Sequence, residues 1–182
     1  VKAETGQEEG EGEKVLTGFR TVTVFDLSQT EGKDLPTVFH PLKGEAPMGV
    51  LVKVKQFMES QGYSVKYGQT APEVYGYLNQ EKEIVLKEGE SLAQTLDTLC
   101  HEMAHALLGH LDSRELGREE KELEAETTAW IVCRNLGLET RDASFSYLAT
   151  WAQGKERDQK LEKAAHRACE AAKRILDGLE VL

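Results

Sequence analysis

Ser91–His110 reads SLAQTLDTLCHEMAHALLGH, and its reading decides the fold. Ser91 and Gln94 form an S-x-x-Q capping box ahead of an apolar run, so a helix is expected to start there and continue to about Gly109. At 3.6 residues per turn Leu92, Leu96, Leu99 and Met103 fall on one stripe. His101 and His105, four apart, fall together on the opposite side. The chain has five histidines, and only His40 and His166 lie outside this stretch. The leucine stripe is expected to face a core, and the histidine side a second layer of protein.

Upstream, PMGVLVKVKQFMESQG places Leu51, Val54, Phe57 and Met58 at helical spacing, with Gly62 as the stop. YSVKY alternates as a strand, and EVYGYL and EIVL, separated by NQEKE, read as a hairpin. Further upstream FRTVTVFDL reads as a half-buried strand and SQTEGKDLP as a loop. Downstream, helices are expected over about Arg118–Leu136 (stopped by Gly137), Ser144–Gln153 and Glu156–Leu179. No internal repeat is visible. Residues 1–17 read as an acidic disordered tail or linker and 18–182 as one domain. VKAETGQEEGEGEK at the front carries five glutamates and no aromatic residue, too little apolar surface to offset the entropy of folding.

The 182 residues suffice for one good core, with 40% hydrophobic and 30% charged residues. A net charge of −10 disfavours nonspecific binding to nucleic acid or anionic membranes, both of which need a basic surface. Cys100, Cys133 and Cys169 are widely spaced, odd in number and form no CxxC pair, so neither a disulfide framework nor a cysteine metal site is indicated. A cytoplasmic location is expected: no apolar run approaches the ~18 to 20 residues of a membrane span, and no secretory leader opens the sequence. The first residue is Val, as in a piece of a longer protein.

The chemistry lies in HEMAH. An i,i+4 histidine pair can place two imidazole nitrogens on one tetrahedral ion, with the intervening Glu102 beside them as general base. The bland alternative is a partly exposed helix with ordinary histidines. Zinc needs a third protein ligand, for which KELEAETTAWIVC offers three glutamates. Glu122 and Glu126 share a side with Ala125, Ala129 and Cys133, whereas Glu124 points away with Thr128, Ile131 and Asn135. A carboxylate among small apolar residues is costly to bury without a cation. Glu126, mid-helix, is therefore the expected ligand, with Glu122 behind it and Glu124 as the rival. His110, five residues after His105, lacks the spacing of a third histidine ligand and reads as a helix-end histidine near the C-terminal dipole. Cys100 and Cys133 read as core thiols. Tyr147, His166 and Arg141 are unranked oxyanion donors.

These motifs resemble the zincin-like metallopeptidase domain of ArdC-type antirestriction proteins and related polyvalent proteins. TLCHEMAHALLGH and ELEAETTAWIVCRNLGLET resemble that family's metal-site helices, and FSYLATWAQGKERDQKLEKAAHRACEAAKRIL its closing helices. FRTVTVFDLSQTEGKDLP, within residues 18–46, resembles its connector from an N-terminal single-stranded-DNA-binding domain. That domain is largely absent here, so single-stranded DNA is not an expected partner of this chain. HEMAH followed by EAETTA is more distantly similar to the ImmA/IrrE peptidases. The resemblance implies zinc on His101, His105 and Glu126, through the shared Ala125–Glu126 pair; the ImmA/IrrE pattern stresses an EA pair matching Glu124–Ala125 instead.

The expectation is thus an α+β, zincin-like (gluzincin-like) fold with a small antiparallel or mixed sheet, the HExxH helix and a C-terminal helical part. The expected function is zinc-dependent peptide-bond hydrolysis of a protein or peptide by an antirestriction or mobile-element protein. The alternative is a non-catalytic, metal-stabilised interaction domain that protects against restriction by binding a partner protein.

Overall fold

The computed structural model describes residues 42, 46, 48–138 and 157–181. The strand expected in FRTVTVFDL, the loop after it and the helix expected at Ser144–Gln153 lie outside the described residues. So do the acidic tail, the 17/18 boundary and all of the 18–46 connector except Leu42 and Ala46. The described residues form four helices and one three-stranded sheet, in the order α1 (Met48–Ser60), β1 (Ser64–Gly68), β2 (Gly76–Leu78), β3 (Glu83–Lys87), α2 (Leu92–Leu107), α3 (Arg118–Asn135) and α4 (Arg157–Glu180). This is an α+β arrangement. No helix among the described residues is long and apolar enough to cross a membrane.

In α1 the stripe Leu51, Val54, Phe57 and Met58 is buried. Gly62 ends the helix with φ +83°, and the Tyr63 N–H reaches back to the Met58 carbonyl at 3.1 Å. That six-to-one bond is the mark of a left-handed glycine cap. β2 and β3 form the expected hairpin, with Tyr77 opposite Val85. Asn79 shapes its turn: the side-chain oxygen accepts from the N–H groups of Glu81 and Glu83 at 3.0 and 2.9 Å. β1 pairs with β3 in parallel, Lys66 opposite Val85, so the sheet is mixed with order β1-β3-β2. Along β3 only Ile84 and Leu86 are buried. The alternation gives one face to the core, where both residues join the cluster around Leu96, Leu99 and Met103.

Ser91 caps α2 as expected, its Oγ accepting from the Gln94 N–H at 3.1 Å. The second half of the capping box does not form. Gln94 turns away from the cap, accepts the Leu42 N–H at 2.8 Å through Oε1 and donates to Thr98 Oγ1 at 3.1 Å. Ser91 Oγ also donates to the Leu42 carbonyl at 2.6 Å. The helix start therefore tethers an upstream segment, a long-range bond that outcompetes the local one.

α3 runs back along α2. Glu122 meets His101 and His105, Glu126 meets only His101, and Cys133 reaches the earlier Asp97. Contacts that step backwards on one helix as they step forwards on the other describe an antiparallel pair. α4 covers the far side of α3, with Ala164, Ala168, Ala172 and Ile175 buried. Being packed on two sides, α3 buries Glu124 and Thr128 as well as Ala125 and Ala129. The expectation that Glu124 points away from Glu122 and Glu126 holds, but the direction is into α4 and not into solvent.

Candidate metal centre

His101 and His105 project from α2 with their Nε2 atoms 3.0 Å apart. Glu122 Oε2 lies 3.5 Å from the first and 3.6 Å from the second. Three ligand atoms around a tetrahedral ion with bonds of about 2.0–2.1 Å stand roughly 3.3–3.4 Å from one another. The triangle of His101, His105 and Glu122 is of that size, and its donor set of two imidazoles and one carboxylate suits zinc. The residues present fit the ion that the motif implies.

Glu126, the ligand expected from the sequence, is not at this triangle. Its Oε1 lies 3.3 Å from His101 Nδ1, the nitrogen on the other side of the ring. The positions of Glu122 and Glu126 are thus the reverse of those expected. Both face the same way on α3, as their spacing of four dictates. The antiparallel α2–α3 pairing sets which one meets the Nε2 atoms. Glu122, in the second turn of α3, stands opposite the last turns of α2, and Glu126 stands one turn (about 5.4 Å) further along.

Glu102 is buried on the same cleft, and its carboxylate accepts a hydrogen bond from the Leu78 backbone N–H. Burial raises its pKa, opposed by the nearby rings of His101 and His105. A carboxyl held above its ordinary range is a better proton acceptor at neutral pH than a solvated one. Burial tends to discharge His101, but its hydrogen bonds to Glu122 and Glu126 outweigh this and raise its pKa. The hydrogen bonds from His101 and His105 hold Glu122 well below the carboxylate range. For Glu126 the upward push of burial is outweighed by the hydrogen bond and charge of His101, and its pKa is lowered.

The cleft has a volume of about 780 Å³. β2 forms one wall through Gly76–Leu78, α2 the floor, and the first turns of α3 the other wall through Arg118 and Glu122. β2 can lie this close because residue 76 is glycine. A Cβ there would stand 2.6 Å from Thr98 Cγ2 on α2 and 2.9 Å from the Val85 carbonyl oxygen.

His110 does more than end a helix. It is buried, its Nδ1 lies 2.8 Å from His105 Nδ1 and its Nε2 lies 3.1 Å from Glu124 Oε2. The signal for this was in the sequence. Gly109, at φ +70°, makes a Schellman cap in which the His110 N–H bonds the His105 carbonyl at 3.0 Å. The residue after the glycine then lies against the one five positions before it. Cys100 and Cys133 are core thiols, both fully buried; the hydrogen bond that the Cys133 thiol donates to Cys100, with burial, raises the Cys133 pKa. His166 is exposed on α4, paired with Glu170 at 3.4 Å, and takes no part in the cleft. Tyr147 and Arg141 lie outside the described residues.

No solved structure matches the chain significantly. An uncharacterized protein of Bacillus anthracis is 26% identical over 190 aligned positions, covering 92% of this chain and 32% of that protein. The chain thus spans about a third of that relative's length. Residues 48–133 match the family model of the IrrE N-terminal-like domain, peptidase M78. That stretch runs from the start of α1 to Cys133 in α3 and holds His101, Glu102, His105, Glu122 and Glu126, so the part of the chain that carries the candidate metal centre is similar to the ImmA/IrrE-like peptidases.

Proposed function

We propose that this domain is a zinc-dependent peptidase of zincin type in which His101, His105 and Glu122 hold the metal and Glu102 is the general base. The observation that carries the reading is the triangle of two Nε2 atoms and one carboxylate oxygen, at the spacing of a tetrahedral ion's ligands, beside a buried glutamate in an open cleft. A zinc ion there supplies the Lewis acidity that activates water and polarises a carbonyl. Glu102 takes the proton from the attacking water and returns it to the departing amine. Glu126 accepts the Nδ1 hydrogen of His101 and so fixes the tautomer that leaves its Nε2 lone pair toward the cleft. The substrate is a protein or peptide, laid along the wall formed by β2. The resemblance to ArdC-type sequences supports reading such an activity as part of an antirestriction or other mobile-element protein of the cytoplasm.

Two measurements test this reading: zinc content by elemental analysis, and hydrolysis of a mixed library of quenched fluorescent peptides. The wild type is expected to carry one zinc per chain. Glu102→Gln is expected to keep the zinc and lose about 10²–10⁴-fold in turnover, the usual worth of a general base. Full turnover in a zinc-loaded Glu102→Gln protein would defeat the mechanism.

A further inference from the structure

Beyond the candidate metal centre, on the Nδ1 side of the His105 ring, lies a line of polar groups that the chemistry above does not use. His105 Nδ1 and His110 Nδ1 are 2.8 Å apart. His110 Nε2 is 3.1 Å from Glu124 Oε2, and the same oxygen is 3.2 Å from Arg167 Nε on α4. The side chains of His110 and Glu124 are only 2% and 3% exposed, while that of Arg167 is 41% exposed. The line is anchored at both ends of the loop it crosses. Lys121 Nζ donates to the carbonyls of His110 and Ser113 at 2.7 and 2.6 Å, and Arg167 also donates to the Leu108 carbonyl at 3.4 Å.

We propose that His110, Glu124 and Arg167 form a relay that sets the tautomer and tilt of the His105 ring, making metal affinity depend on how α4 docks. The inference rests on the metal reading above. The direction of every hydrogen bond then follows from one fact. If His105 presents the lone pair of Nε2 to the ion, its Nδ1 must carry the hydrogen and donate it. His110 Nδ1 can only accept it, so His110 carries its own hydrogen on Nε2 and donates to Glu124. Glu124 remains an acceptor and takes a second bond from the Arg167 guanidinium. No donor faces a donor anywhere along the line.

The two histidines are thus held by different means. His101 leans on a single half-exposed carboxylate, Glu126, on α3. His105 leans on a buried histidine whose own partner needs a cation from α4. A buried carboxylate is costly unless paired, so Glu124 alone would be a poor support, and Arg167 makes it a stable one. These are positioning residues: none contributes an atom to the triangle, and the His110 side chain bonds only the far nitrogen of the His105 ring.

The test is zinc affinity of the full chain, by competition with a chromophoric chelator, with circular dichroism of the metal-free form as the control for folding. His110→Leu keeps the bulk and loses both bonds; it is expected to weaken zinc binding by about 10–100-fold. His110→Asn can place its Oδ1 where Nδ1 stands and accept from His105; it is expected to recover most of that loss. Arg167→Met, at the half-exposed end, is expected to weaken binding several-fold with the metal-free fold unchanged. The cobalt-substituted protein adds a spectroscopic check, since a tilted ring shifts the visible d–d bands in His110→Leu and not in His110→Asn. Should His110→Leu fail to fold, the His110→Asn and Arg167→Met proteins and their spectra decide. Wild-type affinity in both His110→Leu and Arg167→Met, or no difference between the two His110 variants, would overturn the relay while leaving the zinc site intact. A wild type that binds no zinc would overturn the metal reading first and the relay with it.

Discussion

Glu122 and Glu126 are the same residue type on the same face of α3, yet they meet opposite nitrogens of His101. Glu122 shares the Nε2 side with His105, and Glu126 sits behind, on Nδ1. Truncating them should therefore have unequal consequences. Glu126→Ala removes an orienting partner and is expected to cost about 10–100-fold in zinc affinity. Glu122→Ala removes the proposed third ligand and is expected to cost more than that, with zinc absent from the purified protein. Calorimetric titration of zinc into the two metal-free variants measures both. The reverse order would restore Glu126 as the ligand. Sequence reading placed the pair on one shared face because spacing of four fixes a face, and it ranked Glu126 ahead of Glu122; that rank depends on where α3 sits along α2, which spacing does not set.

At the scale of elements, what was legible is what is local. The α1 stripe, the β2–β3 hairpin, the glycine stops at Gly62 and Gly137 and the start of α2 at Ser91 all follow from spacing and turn chemistry within a few residues. Two features did not. The parallel pairing of β1 with β3 joins strands that the hairpin separates, and Gln94 spends its side chain on Leu42, 52 residues away. The approach of β2 to α2 belongs with these, since Gly76 looks like an ordinary strand glycine until Thr98 and the Val85 carbonyl are seen against it. Gly76→Ala is expected to destabilise the fold by about 1–3 kcal/mol, the range for forcing a methyl into a packed contact. Urea unfolding checks it. Adding Thr98→Ser, which removes the nearer methyl and keeps the hydroxyl that Gln94 uses, should recover part of the loss. It should not recover all of it, because the carbonyl oxygen is backbone and cannot step aside.

For the molecule as a whole, one face gathers charge that folding alone does not favour. Asp97, one turn before His101 on α2, is the clearest case. Burial, and then the negative charge of Glu126, raise its pKa from 3.8 to about 6, against an opposing pull from His101. Its proton affinity links the local site to global stability. Between pH 3.8 and about 6 the folded metal-free protein holds a proton on Asp97 that the unfolded chain has released. The stabilisation this brings is complete below 3.8 and is lost as pH rises through 6. At pH 7 and above, the ionised Asp97 is therefore a burden of roughly 2–3 kcal/mol relative to a neutral group of the same shape. Asp97→Asn, in the presence of a chelator, is expected to be the more stable protein at pH 8 and to lose that advantage steadily on acidification to pH 4. Unfolding midpoints of the two proteins across that range give the difference, in which the titrations common to both cancel. A constant gap from pH 4 to 8 would show that Asp97 keeps its charge in the fold. A cation in the triangle lies among the same carboxylates and favours their ionised forms, so saturating zinc should shrink the advantage of Asp97→Asn at pH 8. The acidic face would then be stable with the metal and strained without it, and that difference would tie the cost of burying these groups to the proposed ion.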